Sequence, residues 1–285
     1  MPGVESAKRF MRRWLCSVSF FAVVGLILGG LISVPAISKP QIGTITISGP
    51  ILVQAYADDI LKMLSYARDN ANIKGVVLQI DSPGGEASVI EQIYLDLLRL
   101  GSEKPVIASI GARGASGGYY IAVASNFIYA QPNSQLGSIG AWSTLPTPEK
   151  LGEDIITTGP FKSTGGSKRK ALADLEGLRQ EFVSVVKSQR GDKLKLSEAE
   201  LSRAEVYNGV ESLKYGLIDD IGTSTTAIQK AARLAKIRHY SVTDINKELN
   251  IWQPYYWPLS LFSIRDLKSQ ANLMPIYYYL YFESE

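Results

Sequence analysis

The segment GARGASGGYY, residues 111–120, sets a single serine, Ser116, among neighbours with almost no side chain. A peptide could reach such a serine along its backbone, and the serine could attack a carbonyl carbon if a base took its proton. The Gly117 N–H follows directly and could donate to the oxyanion that the attack creates. The simpler alternative is an N-cap, because a helix begins near here and serine is favoured at that position. A second stretch, DSPGGEA (81–87), places Gly84 and Gly85 between an apolar strand and a helix. Close backbone approach and free N–H groups there suit a developing negative charge, and Ser-Pro-Gly-Gly is equally an ordinary turn.

A nucleophilic serine needs a base, and the chain offers few. It has one histidine, His239 in RLAKIRHYSV, and one cysteine, Cys16. Intrachain disulfides and thiolate zinc sites are therefore excluded. His239 reads as a structural or surface residue. The remaining candidate class is a lysine whose amine burial has made neutral, and residue type alone does not say which.

The elements that must hold these groups follow from periodicity. IGTITISGPI (42–51) reads as a strand ending in a turn, and residues 54–70 carry Ile60, Leu61, Leu64 and Ala67 at helical spacing. KGVVLQI and PVIASIG are uninterrupted apolar strands. Ile90, Ile93, Tyr94, Leu97 and Leu98 mark a helical face between them, and GGYYIAVAS reads as a helix after the second. Strands recurring between helices, with glycine-rich loops at strand ends, define an α/β fold whose loops build a site. Further on, residues 171–190 form a helical candidate, Ser197 and Glu200 a capping box, and Gly216 a helix end. Residues 237–285 form an aromatic tail containing IWQPYYWP and IYYYLYF. It suits either a membrane or partner surface, or an arm packed on its own domain.

Composition bounds the setting. At 46% apolar over 285 residues the chain can bury a core. Its net charge of +3 arises in residues 1–13, where Lys8, Arg9, Arg12 and Arg13 outnumber Glu5. The rest is balanced, which gives no reason to expect nucleic acid as a partner. The run from Trp14 to Ser38 has no charged residue and predicts a transmembrane anchor over 14–38. Its basic flank places residues 1–13 in the cytoplasm and the rest outside the cell membrane. Val34-Pro35-Ala36 leaves a cleaved signal peptide as the alternative.

In order, the chain carries ISGPI, LQIDSPGGEA, GARGASGGYYIAVAS, LGSIGA, TGPFK and VYNGVESLKYGLIDDIG. Over about residues 42–225 it resembles the signal peptide peptidase A (protease IV) family in its short, single-copy form. The resemblance implies a Clp protease/crotonase-like spiral of β-β-α units, with 39–236 as the peptidase domain. It implies a Ser/Lys dyad: Ser116 as nucleophile, Lys162 as general base, and Ser138 orienting the lysine. Lys168 or Lys170 takes that place if the register slips. Gly85 and Gly117, with Gly84 beside them, then serve the oxyanion. The activity implied is endopeptidase cleavage of hydrophobic peptides such as signal-peptide remnants, in a homo-oligomeric ring, with no cofactor and no metal. The alternatives are a peptidase of the same fold aimed at one membrane protein, and a silent scaffold that binds membrane peptides.

Overall fold

The computed structural model describes residues 3–33, 39–144, 158–159, 161–162, 165–251 and 277–281. The chain divides into two compact units, Met1–Lys39 and Pro40–Glu285.

The first unit is one helix, α1 (Gly3–Ser33). Among the described residues no helix is long and apolar enough to cross a membrane, so the span expected over 14–38 is not supported. Arg12 and Arg13 belong to the same helix, and residues 34–38 lie outside the described residues. Phe10, Trp14, Phe20, Phe21 and Leu26 are exposed on α1.

The second unit runs β1 (Gln41–Ser48), α2 (Gln54–Asp69), β2 (Ile73–Ser82), β3 (Gly84–Glu86), α3 (Ala87–Glu103), β4 (Val106–Ala115) and α4 (Gly117–Ala122). There follow β5 (Phe127–Ala130), β6 (Gln135–Gly137), β7 (Trp142–Ser143), α5 (Lys168–Arg190), α6 (Glu198–Leu201), β8 (Val206–Tyr207) and α7 (Gly209–Lys214). It closes with β9 (Asp220–Ile221), α8 (Ser224–Leu234), β10 (Ser241–Asp244), α9 (Ile245–Glu248) and β11 (Tyr277–Leu280). The main sheet has the order β10-β1-β2-β4-β5-β9, with β6 on β4 and β8 on β6. The pairs along the main path are parallel.

Both faces of this sheet are covered, which explains the unbroken apolar runs of β2 and β4. Successive strand residues point to opposite faces. Val76, Leu78 and Ile80 join the core with α2, α3 and α4, while Val77, with Ile42 and Ile107, packs against Ala227, Ala231 and Ala232 of α8. Each such fully buried aliphatic side chain contributes about 1.5–3 kcal/mol. The capping box at Ser197 and Glu200 forms as expected, and Gly216 closes its helix with φ 76.

β2, β3 and α3 make one β-β-α unit. β3 leaves the main sheet for a second one of order β3-β11-β7. Two described parts of the tail return to their own domain: β10 extends the main sheet beside β1, and β11 fills the middle of the small sheet. The compact unit continues past residue 236 accordingly.

Candidate active site

Ser116 stands where β4 ends. β4 and β2 keep register through Ile110 and Ile80, then resume at Gly114 and Ser82, so residues 111–113 bulge from the pairing with β2 while Arg113 and Gly114 pair with Gln135 and Leu136 of β6. The Arg113 amide donates to Asp81 Oδ1 at 3.0 Å and its Nε to Gln135 Oε1 at 3.0 Å, which pins the bulge. Such bulges re-aim the chain beside functional sites. After Ala115 pairs with Gly137, the Ser116 amide donates to the Gly137 carbonyl at 2.8 Å.

Ser116 takes φ 52 and ψ −122 and makes no side-chain cap bond to α4. An N-cap serine has extended dihedrals and accepts from the first turn. Neither holds here, so capping does not explain this serine. A non-glycine residue held at such dihedrals costs on the order of 1–3 kcal/mol, yet Ser116 is 1% exposed and locked on both sides. Tyr119 of α4 fixes the far side, its hydroxyl donating to the Leu217 carbonyl at 2.7 Å. Burial pushes that phenol well above its ordinary pKa, so it stays a donor.

Ser138 follows directly from the carbonyl that receives the Ser116 amide. It too has positive φ, 51, and its amide donates to Glu205 at 2.8 Å. The fold thus places the two serines in adjoining, over-determined turns, Gly137 between them at φ 99.

The glycines are required by close approach. A methyl on Gly84, at φ +101, would sit 1.9 Å from the Tyr279 carbonyl oxygen and 2.5 Å from the Gly117 amide nitrogen. On Gly85 it would meet the Ile51 carbonyl oxygen at 1.8 Å, and on Gly118 the Ser82 carbonyl oxygen at 2.5 Å. Ser82 Oγ ties the turn down, donating to the Gly49 carbonyl at 2.7 Å while accepting from the Gly84 amide at 3.1 Å. Gly84, Gly85, Gly117 and Ser116 therefore converge, with backbone amides packed where side chains would otherwise intrude.

Among the described residues no hydrogen bond joins Lys162 to Ser116. Lys162 lies exposed on a turn, its amide donating to Gly159 at 3.2 Å. Lys168 is exposed, and Lys170 is engaged by Asp174 at 2.5 Å. His239 is exposed on a bend between α8 and β10. The residues missed by sequence reasoning are those of β11, above all Tyr279. The β-forming run IYYYLYF was the signal for a strand, though not for its position beside Gly84.

The model described as Clp protease matches residues 40–137 and that of Peptidase family S49 residues 99–238, so the strained serine lies within both. A mixed α/β, Clp protease-like domain is thereby defined. The chain is 31% identical over 221 residues to Protease 4 of Haemophilus influenzae, covering 70% of this chain and 35% of that protein. It is 30% identical to the chloroplastic serine protease SPPA of Arabidopsis thaliana, covering 64% and 29%. To a putative protease of Synechocystis it is 30% identical, covering 70% of this chain and 76% of that one. It thus spans about a third of the length of the Protease 4 relative, and most of the Synechocystis protein. The chain belongs to peptidase family S49.

Proposed function

We propose that the chain is a serine endopeptidase cutting hydrophobic peptides, signal-peptide remnants among them, with Ser116 as nucleophile. The observation that carries this is the backbone of Ser116: φ 52, no capping bond, and its amide tied to the carbonyl before Ser138. Strain of this kind persists where the surroundings over-determine it, and it clusters at active sites that hold a nucleophile in a fixed geometry. In the mechanism, Lys162 as a neutral amine takes the Ser116 proton, Ser138 orients it, and the Gly85 and Gly117 amides receive the oxyanion. The protonated lysine then serves the leaving amine. Because Lys162 is exposed in the single chain, the dyad closes when copies assemble into a ring, each lysine supplied at a subunit boundary.

The location belongs to the same proposal. The basic residues 8–13 and the apolar side chains exposed on α1 support an N-terminal segment held at a membrane, with the peptidase unit on the non-cytoplasmic side. Protease protection of the second unit in sealed vesicles checks it.

The test is hydrolysis of hydrophobic peptides by the purified full chain. Ser116→Ala and Lys162→Ala should each lower the rate by roughly 10³ or more, and His239→Ala should leave it unchanged. Binding of peptides without hydrolysis would leave only the scaffold reading.

A further inference from the structure

A strand of the chain's own C-terminal part, β11, lies beside the glycines next to Ser116. β11 runs antiparallel between β3 and β7, with Tyr279 opposite Gly85, Leu280 opposite Gly84 and Tyr278 opposite both Glu86 and Trp142. Just beyond the strand, the Tyr281 amide donates to the Pro83 carbonyl at 2.8 Å. Hydrogen-bonded pairs alternate along an antiparallel ladder, so Tyr279 and Gly85 stand as the next such pair. The Tyr279 carbonyl oxygen is also in close approach to Gly117, 2.8 Å from where a methyl on that residue would lie. One carbonyl thus rests against Gly84 and against Gly117, the residue after Ser116, where a scissile carbonyl would lie if Ser116 is the nucleophile.

The side chains of β11 are seated rather than draped. The Tyr279 ring is fully buried, stacked on Tyr120 at 5.2 Å and 17° and tilted against Phe182 at 5.1 Å. Its hydroxyl donates to the Leu178 carbonyl at 3.2 Å. On the other side of the strand, Tyr278 stacks on Trp142 at 4.7 Å and 22°, and Trp142 Nε1 donates to the Leu280 carbonyl at 2.7 Å.

We propose that the cleft between β3 and β7 is an extended-peptide groove with an aromatic-selective pocket formed by Tyr120 and Phe182, and that β11 is its intramolecular occupant, which substrate must displace. This rests on the reading of Ser116 as nucleophile. Main-chain pairing in such a groove gives affinity, and the pockets for alternate side chains give selectivity. The added strand needs no specific sequence beyond its ring, so any extended peptide with an aromatic residue at that position competes.

The experiment uses the full chain carrying Ser116→Ala, so that binding is read without turnover. The probe is a fluorescein-labelled peptide bearing IYYYLYF with added lysines for solubility. Two further substitutions loosen the occupant: Tyr279→Ala, which empties the pocket, and Tyr281→Pro, which removes the donor to Pro83 while sparing the core. An intramolecular occupant at an effective concentration of about 1 mM, competing with a free peptide of Kd about 0.1 mM, weakens the probe roughly tenfold. Both variants should therefore bind the probe about tenfold more tightly, and saturating probe should speed amide exchange at residues 278–281. Replacing the probe tyrosine aligned with Tyr279 by alanine should cost at least about tenfold. Equal probe affinity across parent and both variants, or probe binding that leaves the exchange of 278–281 unchanged, would overturn the proposal. Probe binding as described, in a chain that hydrolyses no peptide with Ser116 restored, would instead reject the peptidase reading and leave the groove standing.

Discussion

Gly84→Ala puts the convergence of the cleft to a direct test. At φ +101 an alanine is strained by about 1–3 kcal/mol. Its methyl would lie 1.9 Å from the Tyr279 carbonyl oxygen and 2.5 Å from the Gly117 nitrogen, and both obstacles are backbone, with no flexible end to swing aside. Overpacking of this sort costs a further 1–3 kcal/mol or so, giving a loss of about 2–6 kcal/mol. The relief available is retreat of β11, because β3 is also held by Ile51, whose amide donates to Gly84 at 2.8 Å and whose carbonyl accepts from Glu86 at 3.0 Å. Urea denaturation should show the loss, and exchange mass spectrometry should show the amides of 279–281 deprotected while those of β2 and β4 keep their order. A variant with parental stability and a protected β11 would refute the geometry assigned to Gly84.

Two other substitutions probe the frame around the site. Gly177, exposed within α5 with nothing within 4 Å of an added methyl, should accept alanine with a gain of about 0.5–1 kcal/mol, read as a raised urea midpoint. Asp219 is buried against Arg190, accepting from both terminal nitrogens at 3.0 Å, and against Lys193 at 2.7 Å. Asp219→Ala should cost about 3–5 kcal/mol because it strands the Arg190 charge. Burial pushes the Asp219 carboxyl up, but the hydrogen bonds from Arg190 and Lys193 outweigh it and hold the group below its ordinary value. Its stabilisation is therefore fully present above the ordinary carboxylate range and is lost as pH falls through the depressed value. Denaturation midpoints measured from neutral pH downward should show that acid-dependent slope in the parent and a flatter one in Asp219→Ala.

The sheet was legible because its signals are local. Apolar runs such as KGVVLQI can only be two-sided strands, and the caps at Ser197 and Gly216 carry their own chemistry. Ser116 was legible as a candidate, but its discrimination from an N-cap was not, since that depends on a dihedral imposed by the β4 bulge and by Gly137, more than 20 positions along the chain. β3 was hidden for a related reason. Three residues with two glycines have no strand propensity, and their pairing is supplied by Tyr277–Leu280, almost 200 positions away. The aromatic tail showed its aromatic runs without their address, which for β11 the packing of Tyr279 on Tyr120 and Phe182 provides.

The central claim is that Ser116 is the nucleophile and a lysine its base. Covalent trapping with a fluorophosphonate, followed by peptide mass mapping of the full chain, tests it most directly. A single adduct on Ser116, formed roughly 10² or more times slower in Lys162→Ala, is the predicted result. An adduct on another serine, or trapping at Ser116 that is unaffected by Lys162→Ala and abolished by His239→Ala, would contradict it.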